Sequence, residues 1–419
     1  MLKLAFEAGV PLMSASTRDT VNVHKVLMTL IGKDPIQWQP QGQTVKPGNL
    51  YYTVVPERVD FNLDYVSMHN SMQDNEASML IINAPKPSML EFQTGEIPTP
   101  KELLQQEMYN ILAGDQTDNE IIEQAKVMAA EIMPAFGGLT IKEALEFVRL
   151  AATNFGEINS SAIMEIRSRF FQTKVGLTSV STKQGLYIPP EALSAWIAEE
   201  KDFFLNESDT RLIPRGLLLD GFPGTGKTAG AKFIAESFGV PLFRLDAAAL
   251  RNKWLGDSEK NMSAALAKLD QEQPCVAIID EIEKIWGGAG EFDANTSTAM
   301  LSQLLWWLAE RQSRVLVTMT TNNKNKLPHE LFREGRIDRT LLFDGLSQTE
   351  AKVFAGEVLK TFPKTINTGA DMSMMCAKVI NDMKHSWTNE PRVSQAKVTE
   401  HVFKYIKAVK KKAKEQKVA

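Results

Sequence analysis

Between an apolar run, Gly216-Leu-Leu-Leu219, and a helix-forming run from Ala229 to Phe238 stands Gly221-Phe222-Pro223-Gly224-Thr225-Gly226-Lys227-Thr228. It matches G-x-x-x-x-G-K-[ST] at every fixed position. A strand before and a helix after is the context in which this pattern folds as a phosphate cradle. Gly221, Gly224 and Gly226 let the backbone turn tightly and aim N–H groups inward. The helix that opens at Ala229 adds its positive dipole end. Lys227 is placed to reach β- and γ-phosphates, and Thr228 to ligate Mg²⁺. The expected nucleotide-binding set is therefore Gly221, Phe222, Pro223, Gly224, Thr225, Gly226, Lys227, Thr228 and Ala229, with ATP and Mg²⁺ as the ligands.

Three further patterns follow in order. Cys275-Val-Ala-Ile-Ile279 is an apolar strand that ends on Asp280-Glu281. Asp280 stands where a Mg²⁺-binding acid is needed, and Glu281 is the candidate to polarise a water for in-line attack. Val315-Leu-Val317 leads to Thr320-Thr321-Asn322, a polar strand end facing the same crevice. Asn322 is the candidate to orient that water. Leu331-Phe-Arg333-Glu-Gly-Arg336-Ile-Asp338 holds two arginines close together, and arginine suits spread phosphate charge. The alternative for Arg333 and Arg336 is surface ion pairing with Glu334 and Asp338. Near-continuous apolar strands separated by helices predict a parallel sheet covered on both faces, the doubly wound α/β pattern.

This order of motifs resembles the AAA+ superfamily, in particular its AAA branch. The resemblance implies a P-loop module with a C-terminal helical lid, in a homo-oligomeric ring with six subunits the expected number. It also implies Asn322 as the sensor-1 residue and Arg333 and Arg336 as fingers acting on the neighbouring subunit's ATP. Glu334 replaces the branch's usual proline and Ile337 its usual Phe. Pro274-Cys275, Asp280-Glu-Ile-Glu-Lys284, Leu304-Leu-Trp-Trp-Leu-Ala-Glu310 and Leu327-Pro-His-Glu-Leu331 are similar to one subfamily. It comprises conserved AAA+ proteins encoded in chloroplast genomes, with cyanobacterial and other bacterial relatives. Arg392, in Thr388-Asn-Glu-Pro-Arg-Val393, resembles a sensor-2 arginine that contacts the γ-phosphate in cis; a solvent-facing role is the alternative.

Lys253-Trp254-Leu255-Gly256-Asp257 resembles the central-pore loop of microtubule-severing and membrane-remodelling AAA ATPases. By that likeness Trp254 and Leu255 grip an extended polypeptide. The alternative packs Trp254 in an interface or on the sheet. Glu291 to Thr298 reads as a second pore loop or as a flexible surface loop after Gly287, Gly288 and Gly290. The Lys-rich tail from Lys404 reads as a solvated helix end rather than a nucleic-acid arm. Trp306-Trp307 reads as core.

The remaining chain divides by texture. Residues 1–135 form an expected α/β domain that binds a partner and not a nucleotide. Its strand-like runs are Leu50 to Val55 and Met79 to Ile82. A helix is expected from Thr99-Pro100-Lys101-Glu102, with Thr99 as cap and Pro100 at the first helical position. Residues 136–195 are an expected helical connector with a capping box at Thr140-Ile-Lys-Glu143. Residues 196–345 form the large ATPase subdomain, and 346–419 the lid with its basic tail. The net charge of −4 offers no general attraction to nucleic acid or membranes. With 2 cysteines and no apolar run long enough to span a bilayer, a cytoplasmic location is the expectation. The sequence is read as a ring motor that remodels or unfolds a protein client. The alternatives are a nucleotide-gated assembly switch and a nucleic-acid-associated factor.

Overall fold

The computed structural model describes the chain except residues 40–42, 57–63, 85–87, 171–175, 184, 247–256, 286–290, 334, 363–368, 384–391 and 419, with backbone alone at 257, 285, 291–298, 369–371 and 411–418. It comprises two compact units, Met1–Asn159 and Ser160–Ala419.

The first unit alternates helices and strands: α1 (Leu2–Glu7), β1 (Leu12–Ser16), α2 (Val23–Ile31), β2 (Ile36–Gln37), β3 (Leu50–Val54), α3 (Tyr65–Asp74), β4 (Ser78–Ile82), β5 (Phe92–Glu96), α4 (Lys101–Ala113), α5 (Asn119–Ile132) and α6 (Ile141–Phe155). The strands pair in parallel in the order β2-β3-β4-β1-β5. Both apolar runs anticipated here are strands. β4 is buried along its whole length, as the apolar run Met79–Ile82 that follows its first residue, Ser78, requires. Thr140 and Glu143 form the expected reciprocal capping box at α6. At α4 the cap differs from expectation: the N-cap position falls on Pro100, which makes no side-chain bond. The helix starts one residue late, which leaves the Thr99 hydroxyl out of position to cap it.

The second unit contains α7 (Ser160–Phe170), β6 (Leu177–Val180), α8 (Glu191–Asn206), β7 (Gly216–Gly221), α9 (Lys227–Phe238), β8 (Leu242–Leu245), α10 (Asp257–Gln271), β9 (Cys275–Ile279), α11 (Glu291–Glu310), β10 (Val315–Thr321), β11 (Arg339–Phe343), α12 (Gln348–Lys360), α13 (Gly369–Asp382) and α14 (Gln395–Val418). Its sheet runs β11-β7-β10-β9-β8-β6, parallel throughout except for the antiparallel edge β6. The stretch expected to be helical before residue 195 therefore includes a strand. Leu-Thr-Ser-Val, rich in β-branched residues, suits that edge.

Alternate residues of the central strands enter opposite cores. Leu217, Leu219, Val276, Ile278 and Leu316 pack with α8 and α9. Leu218, Ala277, Ile279, Val315, Val317 and Met319 pack with α10 and α11. This period-2 division is what a sheet covered on both faces demands. A separate core joins α12, α13 and α14 into a helical lid. Residues 291–298 form the opening turns of α11, so the loop readings of that segment are corrected. Trp307 is buried and its Nε1 donates to Asp270 Oδ2 at 2.9 Å, but Trp306 is 67% exposed, so only one of the pair is core. Neighbouring helical positions face different sides, which separates them. Among the described residues, no helix is long and apolar enough to cross a membrane.

Candidate functional site

The parallel strands β7, β9 and β10 end side by side, and the polar residues that follow them converge there. Gly221 closes β7 against β11: a Cβ on it would lie 2.1 Å from the Phe343 carbonyl oxygen. Only glycine fits. Gly224 and Gly226 then take φ of +80° and +95°, a left-handed region that L side chains avoid. Gly226 is the N-cap of α9, so the loop delivers the chain straight into the helix N-terminus. Thr225 is buried, its hydroxyl donating to the Phe222 carbonyl at 2.8 Å, while Phe222 is exposed. Pro223 is exposed and Ala229 half-buried.

Lys227 is buried. Its ammonium donates to the carbonyl of Gly221, to that of Phe222 at 2.9 Å and to Asn322 Oδ1 at 3.0 Å. Burial pulls its pKa down, opposed by the nearby carboxylates Glu283, Asp220, Glu281 and Asp280. The Thr228 hydroxyl donates to Asp280 Oδ1 at 3.0 Å. Thr320 lies beside them; its hydroxyl donates to Asp280 Oδ1 at 3.3 Å and accepts the Glu281 N–H at 2.9 Å. Glu281 has φ of +51°, rare for a residue with a Cβ. Its carboxylate pairs with Lys284 and accepts a bond from Asn322 Nδ2 at 3.4 Å. The Lys284 ammonium first, then the Asn322 amide and Lys227, hold Glu281 below the usual carboxylate range.

Lys227, Thr228, Asp280, Glu281 and Asn322, up to 95 positions apart in sequence, thus form one bonded cluster at the strand ends. A hydroxyl and a carboxylate 3.0 Å apart, next to a buried lysine and a helix N-terminus, are a donor set suited to Mg²⁺ brought by a nucleotide.

Residues 217–345 match the model of the ATPase family associated with various cellular activities. Residues 217–345 are an AAA ATPase domain. The chain is 30% identical over 251 residues to ycf46 of Guillardia theta, an uncharacterized AAA domain-containing protein, which covers 57% of this chain and 49% of that one. The ycf46 of Pyropia yezoensis is 28% identical over 309 residues, covering 71% and 59%. The peroxisomal ATPase PEX6 of Dictyostelium discoideum is 33% identical over 163 residues, covering 38% and 13%. The chain spans about half the length of the first two relatives. These likenesses bear out the expected AAA family and the plastid-encoded relatives.

Other expected residues lie apart from the cluster. Arg336 precedes β11 at the opposite end of the sheet: its carbonyl sits where a Cβ on Gly216, the first residue of β7, would be 1.7 Å away. Its Nη1 donates to the Glu330 carbonyl at 2.6 Å. Arg333 is exposed, and Asp338 accepts the N–H groups of Arg215 and of Gly216, the latter at 2.9 Å. Arg392 is turned to the lid, its Nη1 3.1 Å from Asp344, 3.6 Å from Glu350 and 2.9 Å from the Gly345 carbonyl. Trp254, Leu255 and Glu334 lie outside the described residues.

Four neighbours escaped the motif reading. Glu283 accepts the Asn322 N–H at 3.1 Å and so fixes the strand end that carries Asn322. Its signal was the third acid in Asp280-Glu-Ile-Glu283. Lys284 ended that same run. Tyr187 and Gln395, which flank the loop, carry no local signal because they meet the AAA domain from outside its motifs.

Proposed function

We propose that the chain hydrolyses ATP with Mg²⁺ at this cluster and that the reaction is completed by arginines of a neighbouring copy in a homo-oligomeric ring. The observation that carries the reading is the Thr228–Asp280 contact at 3.0 Å, which joins the Lys227 loop to the acidic strand end. The name of the PEX6 relative, an ATPase, supports hydrolysis.

In this reading Gly221, Phe222, Gly224, Thr225, Gly226, Lys227, Thr228 and Ala229 offer backbone N–H groups to the phosphates, and Pro223, which has no N–H, only shapes the loop between them. Lys227 lies among the β- and γ-phosphate oxygens. Thr228 and Asp280 would hold Mg²⁺, which when bound neutralises charge on those oxygens. Glu281, ionised well below neutral pH, accepts the proton of the attacking water, and Asn322 orients that water. Arg333 and Arg336 serve the neighbour. The six residues of β7, at about 3.3 Å each, put Arg336 too far from its own loop. Arg392, held by Asp344 and Glu350, acts as a lid element.

The work done by hydrolysis is proposed to be remodelling or unfolding of a protein client, gripped by Trp254 and Leu255 and recruited by residues 1–135. Residues 136–195 connect that domain to the large subdomain at 196–345, and 346–419 form the lid. The place of action is the cytoplasm or an equivalent compartment.

Glu281→Gln tests the chemistry. The variant should bind ATP and turn over at least about 100-fold more slowly, the lower end of what a general base contributes. Turnover near the wild-type rate would remove Glu281 from its role.

A further inference from the structure

The peptide of Ile188 is held twice by one side chain. Its carbonyl accepts from Gln395 Nε2 at 2.7 Å and its N–H donates to Gln395 Oε1 at 3.4 Å. Gln395 opens α14 and is 7% exposed, so this contact is not a passing surface one. The Ile188 side chain packs on the lid core. One residue earlier, Tyr187 lies on the phosphate loop: a Cβ on Gly226 would meet its ring at 2.8 Å and the Gln395 amide nitrogen at 3.8 Å. The Ala396 N–H donates to the Gly224 carbonyl at 3.4 Å. The Ile188 peptide and the start of α14 therefore border the nucleotide loop.

A carboxamide sets an acceptor beside a donor on one plane. The edge of a 6-aminopurine does the same, with ring N1 as acceptor and the 6-amino group as donor. A peptide that satisfies Gln395 through one N–H and one C=O presents the complement of that edge. A 6-oxopurine, donor at N1 and acceptor at O6, is mismatched at both atoms.

We infer that Gln395 is an internal stand-in for the adenine edge, a latch that ties the lid helix to the Ile188 peptide and that the base of the nucleotide displaces. The inference rests on the nucleotide site proposed above. One peptide edge cannot serve both partners, so base binding and the Gln395 contact exclude each other. Entry of the base then frees the first turn of α14 from Ile188. An internal competitor lowers apparent affinity by the fraction of time it holds the site.

The test uses the full chain and two ligands, ADP and Mg²⁺-tripolyphosphate, measured by calorimetry. Gln395→Leu keeps the size and removes both hydrogen bonds. ADP should bind about tenfold tighter, while tripolyphosphate, which has no base, should stay within about twofold. Gln395→Met, which has neither a donor nor a carbonyl for the Ile188 peptide and adds no charge beside the phosphate loop, should move ADP in the same direction and carries the test if the leucine variant does not fold. Tightening of ADP by less than about threefold, weakened ADP, or an equal change for tripolyphosphate overturns the latch. Wild type that binds ADP while Gln395→Leu fails to tighten it rejects the latch alone. Wild type that binds no ADP rejects both the latch and the nucleotide site.

Discussion

Glu281 joins two properties that a plain loop carboxylate lacks. Its backbone sits at φ of +51°, and its carboxylate is held by Lys284 and Asn322. The first aims the side chain across the end of β10; the second keeps it ionised. Its folded pKa is lowered, so any stability it contributes is present above its unfolded value, about 4.3. That contribution is lost as pH falls through the lower folded value. The side chain is 43% exposed, so the stability term is small and the kinetic one is the measurable consequence. Lys284→Ala removes the largest cause of the shift. Glu281 should then protonate at higher pH, and the acid limb of the kcat/KM profile should move upward. An acid limb that does not move would mean that Lys284 does not tune this carboxylate.

At the scale of elements, β7 is the strand on which the site depends. It is flanked by β11 and β10, and both of its terminal glycines touch the β11 side. Gly216→Ala would drive a Cβ to 1.7 Å from the Arg336 carbonyl, which is backbone and has little room to yield. Overpacking of this kind costs about 1–3 kcal/mol, so the second unit should lose about 2–12 °C in Tm, read by calorimetry. An unchanged Tm would contradict the close β7–β11 approach. The doubly wound sheet was legible because Cys275–Ile279 and Val315–Val317 are unbroken apolar runs, each ending in polar residues. So was the cluster, since its members follow β7, β9 and β10, each of which ends in a recognisable polar motif. The α4 cap was misplaced because Thr99, Pro100 and Lys101 satisfy the start signals in two registers that differ by one residue. Residues 291–298 were read as loop because the glycines before them outweighed the helix-compatible run that follows. The Ile188–Gln395 contact was not legible at all. It joins residues 207 apart, through a backbone edge that no side-chain pattern reveals.

At the scale of the molecule, the phosphate loop and Glu281 lie at one end of the sheet and Arg336 at the other. Arg336 lies beside the first residue of β7 and Gly221 is the last, which supports the proposal that Arg336 serves the phosphates of a second copy and not its own. Arg336→Ala should bind ATP as wild type does and lose hydrolysis by about 10³-fold or more. Mixed with excess wild type, it should regain turnover at sites whose neighbour supplies Arg336. Full activity of the variant alone would reject the trans role. The most direct measurement is the ATPase rate per subunit across protein concentration in Mg²⁺. The account predicts a rate that climbs with concentration to a plateau as an assembled species forms. A rate that is flat from monomer upward, or ATP that binds at every concentration without turnover, would contradict it.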